Sequence, residues 1–245
     1  MNRRITIAAT NSLGRRIRHR GLDEADRALL ELVLADSFDA LTEVSDVIRR
    51  ELPDVTFTPR LKTVGTLVDK LMREEGMALS RMRDIAGVRV VDEMNRLEQD
   101  VLVGRLVEAL GIERPRVDRR RDPRYGYRAV HVEAAVDGCF VEIQVRTRLQ
   151  DLWAQIVERL ADNWGRQIRY GGSPPDAERE IAPDLTRADV WTIVQDLSTA
   201  IDTVESSEAE VVAKGEEEEA ILVAATNRRE LAETLRRLER VAPRL

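Results

Sequence analysis

The feature that most constrains the fold of this chain is an Asp-Gly pair, Asp137-Gly138, between two segments of alternating apolar and polar residues. The first segment is YRAVHVEAAV, residues 127 to 136, and the second is CFVEIQVRT, residues 139 to 147. An Asp-Gly pair flanked in this way is a strong signal for a two-residue hairpin loop. The pattern therefore predicts an antiparallel β-hairpin.

The hairpin register predicts which side chains share a face, because residues paired across antiparallel strands point the same way. Glu133 then lies opposite Glu142. The predicted polar face holds six side chains: Tyr127, His131, Glu133, Glu142, Gln144 and Arg146. Such a face is either the solvated side of an ordinary hairpin or a binding site. Two facing carboxylates argue for the site, because they need a nearby cation or a shifted pKa.

Composition excludes several kinds of site. The single Cys139 excludes an intrachain disulfide and a cysteine metal cluster, and two histidines are too few for a His-rich zinc site. A metal would therefore be a hard cation bound by carboxylates, with Mg²⁺ the first candidate. No apolar run reaches the roughly 18–20 residues of a membrane span. Since the N-terminus also lacks the apolar core of a signal peptide, we expect a cytoplasmic protein without membrane contact.

Helical and strand patterns indicate an α+β fold with helical elements at both ends. Helices are predicted over residues 23–52 (bent or broken near Ser37), 62–75, 95–110, 148–168 and 186–240 (broken near Gly215), with a strand over 85–91. We predict three parts: an N-terminal helical extension over residues 1–54, a core over 55–172 and a C-terminal helical extension over 173–245.

A cationic stripe lies upstream of the hairpin. Lys62, Thr66, Lys70 and Arg73 are three or four residues apart, with Arg60 and Lys62 at the N-terminus of the predicted helix. Cations and free amides at a helix N-terminus favour phosphate. A solvated cationic helix face is the alternative explanation.

Asp84 is the third candidate, near the start of the strand that carries Arg89. It is either a turn cap or a Mg²⁺ ligand with Glu142 as its second carboxylate. Asp84 and Arg89 are five residues apart, so their side chains would point to opposite faces of a regular strand. Both reach one site only if Asp84 precedes the strand or a bulge intervenes.

Charge along the chain is uneven. The net charge of −6 argues against a generic nucleic-acid binder, and acidic residues collect around Glu216 to Glu219. Residues 113–128 hold a cluster of arginines: Arg114, Arg116, Arg119, Arg120, Arg121, Arg124 and Arg128. This segment is a local candidate for anion binding or a solvated loop.

Taken together, four motifs resemble the synthetase domain of the RelA/SpoT alarmone family. They are R-x-K with a following Thr and Lys (residues 60–73), DIAGVRV (84–90), GYRAVH (126–131), and VEIQVRT followed by DLWAQIVE (141–158). The resemblance covers residues 55 to 170. It implies a nucleotidyltransferase-like mixed sheet flanked by helices, in a small, synthetase-only member.

The resemblance also implies an activity. A member of this family would be a GTP/GDP 3′-pyrophosphokinase, which uses Mg²⁺ to move the β,γ-pyrophosphate of ATP to the ribose 3′-hydroxyl of GDP or GTP. The products would be ppGpp and pppGpp.

The resemblance further implies roles for individual residues. The ATP-binding set is Arg60 and Arg89, which sandwich adenine, and Lys62, Thr66, Lys70 and Arg73 around the triphosphate. The acceptor-binding set is Tyr127, which stacks on the base, with His131, Gln144, Arg124 and Asp151. Asp84 and Glu142 are the implied catalytic residues and metal ligands, and Glu142 also activates the attacking hydroxyl.

Departures from the family pattern leave the acceptor open. Ala129 stands where many members carry Ser, and Asp151 where guanine-binding members often carry Asn. The alternative is a toxin-type member that modifies adenosine nucleotides or the 3′ end of tRNA, with RNA gripped by the arginines at 119–121. A catalytically inactive nucleotide-binding module is disfavoured, since both metal carboxylates and the triphosphate cations are present.

The apolar spacing of the C-terminal helices fits three explanations. The apolar residues at this helical spacing are Val190, Ile193, Leu197, Ile201, Val204, Leu222, Leu231, Leu235 and Leu238. They fit internal packing, a homo-oligomer interface or a surface for an antitoxin protein.

Overall fold

The computed structural model describes residues 4–113, 115, 117–215 and 218–245. Arg114, Arg116, Glu216 and Glu217, which belong to the charged segments noted above, lie outside the described residues. The α-helices are Ile7–Arg20 (α1), Glu24–Glu51 (α2), Val64–Arg73 (α3), Arg96–Ala109 (α4), Arg148–Trp164 (α5), Arg187–Lys214 (α6) and Glu218–Val241 (α7). The strands are Phe57–Leu61 (β1), Ala86–Asp92 (β2), Val117–Asp118 (β3), Val130–Val136 (β4), Cys139–Thr147 (β5), Glu180–Ala182 (β6) and Leu185–Thr186 (β7).

Five strands form a mixed sheet in the order β1-β2-β5-β4-β3, flanked by helices, which confirms the predicted fold class. Strands β4 and β5 are the predicted hairpin. Its loop residues Asp137 and Gly138 have φ values of 48° and 76°, the left-handed conformation that a type I′ turn requires at both positions. Alternate residues of both strands are buried, as the register predicts.

The chain forms two compact units. The first comprises the described residues within 1–90, 103–116 and 131–145. Its helices α1 to α3 pack around an apolar cluster that includes Leu13, Ile17, Leu30, Leu67, Leu71 and Leu79. Helix α2 runs without a break past Ser37, whose buried hydroxyl donates to the Val33 carbonyl oxygen over 2.8 Å. Of the two alternatives for residues 23–52, a single helix is therefore observed.

The second unit comprises the described residues within 91–102, 117–130 and 146–245. Helices α5, α6 and α7 pack around a core that includes Trp153, Ile156, Leu160, Val194, Ile201 and Leu235. Helix α6 ends at Gly215, which has a φ of 61°, so the predicted break is confirmed. Ile193 and Leu222 are 45% and 62% exposed, and packing within this unit leaves these two apolar side chains largely uncovered.

Several boundaries differ from the prediction. Helix α3 begins at Val64, after the N-cap Thr63, and Arg60 lies on β1 rather than at the helix N-terminus. Helix α5 ends at Trp164, because Gly165 adopts a φ of 107°. The division into three parts stays a prediction. No helix in the described part of the chain is long and apolar enough to cross a membrane.

Candidate active site

Many of the predicted site residues line one pocket in the first unit. Its polar lining is Arg60, Lys62, Asp84, Arg89, Glu142 and Gln144. These side chains come from β1, the segment after it, the segment before β2, β2 itself and β5. The pocket therefore gathers cations and carboxylates from segments that are distant in sequence.

The two arginines share a face of the sheet. Arg60 pairs with Gly87, and Arg89 pairs with Thr58 two residues earlier on β1. Because side chains alternate along a strand, Arg60 and Arg89 point the same way. A Cβ atom at Gly87 would approach the Glu142 carbonyl oxygen to 3.1 Å. Gly87, to which the sequence analysis gave no role, keeps a side chain out of the space between the arginines.

Asp84 is held by two lysines. Lys70 Nζ donates to Oδ1 over 2.8 Å, and Lys62 Nζ lies 3.3 Å from Oδ2. Burial acts to raise the pKa of Asp84, but the charges of Lys62 and Lys70 outweigh it and hold the pKa below the usual range. Asp84 is therefore ionised at neutral pH. It precedes β2, which begins at Ala86, and this resolves the conflict with the direction of Arg89.

The remaining members of the cationic stripe are placed differently. The Thr66 hydroxyl donates to the Thr63 carbonyl oxygen over 2.9 Å, and Arg73 lies 3.3 Å from Glu74. Both residues are exposed on α3 and are not among the residues that line the pocket. Their role at the triphosphate stays a prediction.

Glu142 accepts hydrogen bonds at both carboxylate oxygens. His131 Nδ1 lies 2.8 Å from Oε1, and Gln144 Nε2 donates to Oε2 over 2.8 Å. Burial acts to raise the pKa of Glu142. The hydrogen bonds from His131 and Gln144, together with the charge of His131, outweigh burial, so the pKa lies below the usual range. Glu142 is thus a largely buried, ionised carboxylate in the pocket.

The facing carboxylate Glu133 has a cation of its own. Arg83 Nη1 donates to Glu133 Oε1 over 2.8 Å, and its guanidinium carbon lies 3.4 Å from the centroid of the Phe140 ring. The Arg83 cation therefore compensates the negative charge of Glu133, which the hairpin register places opposite Glu142. Glu133 and Glu142 therefore have separate partners.

Asp84 and Glu142 fit the requirements of a Mg²⁺ site. Both line the pocket, and their side chains are 28% and 18% exposed. The described residues contain no group of three or more His, Cys, Asp or Glu side chains arranged to hold a metal. Mg²⁺ commonly keeps several waters and binds through one or two carboxylates plus substrate phosphates, so two carboxylates suffice.

Tyr127 lies in the second unit, at the end of a tight turn. The backbones of Arg124 and Tyr127 exchange two hydrogen bonds of 3.3 and 3.1 Å, and Tyr125 and Gly126 between them have φ values of 56° and 86°. A Cβ atom at Gly126 would approach the Trp153 ring to 2.6 Å. The glycine of the GYRAVH motif is therefore required both by its backbone conformation and by its contact with α5.

Arg146 orients the Tyr127 ring. Its Nη2 donates to the Tyr127 hydroxyl over 3.1 Å, and its Nη1 donates to Asp151 Oδ1 over 3.1 Å. Gln155 donates to the other Asp151 oxygen over 2.5 Å. Arg146 and Asp151 are each only 3% exposed. The sequence placed Arg146 on the polar face without a role, and the structure assigns it to the support of Tyr127.

The Arg-rich loop is mostly a structural element. Arg120 is buried, forms ion pairs of 2.6 and 2.8 Å with Asp100 and Asp118, and donates to Gln99. Arg128 is buried and donates to the Arg120 carbonyl oxygen over 2.6 Å. The prediction of an anion-binding segment is therefore wrong for these two arginines, because their guanidinium groups are buried and bound within the protein. Arg121, by contrast, has a side chain that is 87% exposed.

A family model described as a region found in RelA / SpoT proteins matches residues 59–161. The chain carries a RelA/SpoT region. The match spans the segments that supply the pocket residues, the Tyr127 turn and helix α5. The resemblance drawn from the four motifs is thereby confirmed.

Curated relatives of this chain occur in mycobacteria. Uncharacterized proteins of Mycobacterium tuberculosis and Mycobacterium bovis are 38% identical to it over 149 residues, which is 59% of this chain and 55% of each relative. The matched region thus spans about half the length of these relatives.

Solved structures share the fold of this chain. Small alarmone synthetase 1 from Bacillus subtilis aligns over 76% of this chain and 96% of its own, with a TM-score of 0.52 and 20% identity. A GTP pyrophosphokinase family protein from Streptococcus pneumoniae aligns over 82% of this chain and 98% of its own, with a TM-score of 0.51 and 17% identity. At these identities the likeness establishes the fold.

Proposed function

We propose that this protein is an ATP-dependent pyrophosphotransferase that modifies the ribose 3′-hydroxyl of GDP or GTP. The observation that carries the proposal is the pocket of the first unit, where Lys62, Asp84 and Glu142 meet beside two arginines. Catalysis of phosphoryl transfer depends mainly on positioning and on neutralising charge. A pocket of cations and ionised carboxylates suits that task.

The donor side binds ATP. Arg60 and Arg89 lie on one face of β1 and β2, with Gly87 leaving the space between them open. Planar guanidinium groups stack well on a purine, which suits adenine in this space. Lys62 and Lys70 are in contact with Asp84 and would bind the triphosphate, with Thr66 and Arg73 as further candidates on α3.

Asp84 and Glu142 would hold Mg²⁺. When bound, the ion would neutralise charge on the phosphate oxygens of ATP. The two lysines keep Asp84 ionised, while His131 and Gln144 do the same for Glu142. Both carboxylates are thus ready to bind a cation at neutral pH.

Glu142 is the proposed general base. The 3′-oxygen of the acceptor attacks the β-phosphorus of ATP, the bond from that phosphorus to the α-phosphate oxygen breaks, and AMP leaves. The hydroxyl proton passes to Glu142. A carboxylate that has kept its charge can accept this proton if it lies within hydrogen-bond reach of the hydroxyl.

The acceptor side follows the family resemblance. Tyr127 would stack on the base, and Arg146 holds its ring from within the second unit. His131, Gln144 and Arg124 are further acceptor contacts. Support for a guanine nucleotide comes from the shared fold with small alarmone synthetase 1 from Bacillus subtilis, which was also solved bound to its product pppGpp, with a TM-score of 0.52 and 21% identity.

A second candidate is transfer to an adenosine nucleotide or to the 3′ end of tRNA. The exposed Tyr125 ring, with the Arg124 guanidinium 5.7 Å from its centroid, favours this alternative. Asp151, which is buried beside Arg146, stands where guanine-binding members often carry Asn, so the support for guanine is weaker at this position. Exposed aromatic and arginine side chains suit nucleic-acid bases. An antitoxin protein would then be an expected partner. A homo-oligomer and a cytoplasmic location are expected for either candidate.

The acceptor is tested by a transfer assay. The protein is incubated with Mg²⁺ and γ-labelled ATP, and GDP, GTP, ADP and deacylated tRNA are supplied separately. We expect label in GDP and GTP. Label in tRNA or ADP alone would replace the first candidate with the second. Folded protein that transfers to none of the four would overturn the enzymatic proposal.

A further inference from the structure

Arg83 connects the segment that carries Asp84 to the hairpin that carries Glu142. It directly precedes Asp84 in the chain. Its guanidinium group forms a 2.8 Å ion pair with Glu133 on β4 and stacks 3.4 Å from the centroid of the Phe140 ring on β5. One side chain therefore contacts both strands of the hairpin.

The position of this contact matters because the two metal carboxylates come from different segments. Asp84 lies two residues before β2, beside Ile85, whose carbonyl oxygen accepts from the Lys62 amide over 2.8 Å, and Glu142 lies within β5. Lys62 and Lys70 hold the Asp84 carboxylate, but a bound triphosphate would compete for both lysines. Arg83 would still hold the backbone beside Asp84.

The chemistry of the contact suits a fixed support. The Arg83 and Glu133 side chains are 34% and 14% exposed, so the ion pair is partly shielded from water. Stacking on an aromatic face restricts the guanidinium plane. The pair also neutralises Glu133, which faces Glu142 across the hairpin and would otherwise repel it.

We propose that Arg83, Glu133 and Phe140 form a clamp that sets the spacing of the Asp84 and Glu142 carboxylates, and with it the affinity for a divalent cation. The inference rests on the proposed function, which assigns the cation to this pair. Arg83 is a positioning residue in this proposal. Groups that orient metal ligands commonly change metal affinity or activity about 10–100-fold when removed.

The test measures Mn²⁺ binding by the full chain, with free Mn²⁺ followed by electron paramagnetic resonance. We expect Arg83→Gln to weaken Mn²⁺ binding at least about tenfold relative to wild type. Arg81→Gln is the matched control, because Arg81 is an exposed arginine two residues away, and it should bind as wild type does. Phe140→Leu removes only the stacking surface and should give an intermediate loss.

A charge exchange separates positioning from direct substrate contact. Arg83→Glu places two like charges in the clamp and should give the weakest binding. Combining it with Glu133→Arg restores an ion pair and should recover most of the Mn²⁺ affinity and of the transfer rate. If Arg83 instead binds a substrate phosphate, the exchange recovers neither, and the clamp is overturned.

Failure of the clamp and failure of the proposed function give different results. Wild-type affinity in Arg83→Gln, together with normal transfer, overturns the clamp and leaves the function intact. If the wild-type protein neither binds Mn²⁺ nor transfers pyrophosphate, the proposed function fails and the clamp fails with it. Thermal melts of every variant identify those that have lost the fold. If Arg83→Gln has lost the fold, the Mn²⁺ affinity of Phe140→Leu decides: an intermediate loss supports the clamp, and wild-type affinity overturns it.

Discussion

The pocket of the first unit and a buried network of the second unit use the same kinds of charged residue in opposite ways. In the first unit, Lys62, Asp84 and Glu142 line a pocket, and their charges face space that a ligand can enter. In the second unit, Arg120 and Glu205 are buried and bound to other parts of the chain. A cluster of arginines in the sequence therefore says little about binding until the burial and the partners of each member are known.

This contrast predicts a division of effects. Substitutions in the pocket should lower catalysis with little loss of stability. Substitutions in the buried network of the second unit should lower stability, with activity falling only as the fold is lost.

The largest expected effect is at Glu205. Its carboxylate accepts from the Thr147 hydroxyl, from Gln150 Nε2 over 2.8 Å and from Arg96, and it is 0% exposed. Glu205→Ala leaves these donors buried without their acceptor, so we expect the free energy of unfolding to fall by about 3–5 kcal/mol. Denaturant melts measure it. Glu210→Ala on the exposed face of the same helix is the control, and equal losses at the two positions would contradict the division.

The next effect compares two neighbouring arginines. Arg120 is buried among Asp100, Asp118 and Gln99, while the Arg121 side chain is 87% exposed. Arg120→Ala should cost about 1.5–3 kcal/mol of unfolding free energy, because it removes the hydrogen bonds and ion pairs of a buried guanidinium group. Arg121→Ala should cost less than about 0.5 kcal/mol. A reversed order in chemical denaturation would show that the loop is held in some other way.

Beside the pocket residue Asp84, Lys70 is expected to affect catalysis more than stability. Lys70→Gln removes a cation that contacts Asp84, and we expect kcat/KM for ATP to fall about 100-fold, as for the loss of one charge-stabilising donor. Arg73 lies on the same helix but pairs with Glu74, so Arg73→Gln should lower kcat/KM for ATP about tenfold or less. Initial rates at varied ATP concentrations test this, and a larger loss at Arg73 would move the triphosphate site along α3.

The smallest effect is a gain in stability at Tyr125. This residue has a φ of 56°, which is costly for an aromatic residue, whereas Asn adopts this conformation more readily. Tyr125→Asn should therefore raise the unfolding free energy by about 0.5–1 kcal/mol. Tyr170→Asn, at an exposed tyrosine without a positive φ, should give no such gain. A loss at Tyr125 would mean that its ring packing outweighs the backbone strain.

Local signals in the sequence predicted much of the fold. The hairpin follows from Asp137-Gly138, and the break between α6 and α7 follows from Gly215. Strand β1 was not predicted, because FTPRL is short and contains Pro59, which usually argues against a strand but is tolerated at a sheet edge. These five residues form a strand because they pair with β2, and that pairing cannot be read from the five residues themselves.

The candidate site was predictable to the extent that its motifs are local. Lys70 contacts Asp84, so two residues that the resemblance assigns to one site lie together, and their roles stay a prediction. Of the two alternatives for Asp84, a position before the strand is the one observed. Arg83 and Arg120 were not predictable, because Glu133 and Asp100, their respective partners, lie 50 and 20 residues away in sequence. Nothing in a linear pattern specifies those pairs.

The most direct test of the central claim is the transfer of labelled pyrophosphate by Glu142→Gln. Gln keeps the shape of the side chain but cannot take the hydroxyl proton or supply a charged ligand. We predict a loss of at least about 10³-fold in the rate of label transfer to the acceptor, with a melting temperature close to that of the wild type. A Glu142→Gln protein that transfers label at the wild-type rate would contradict the account.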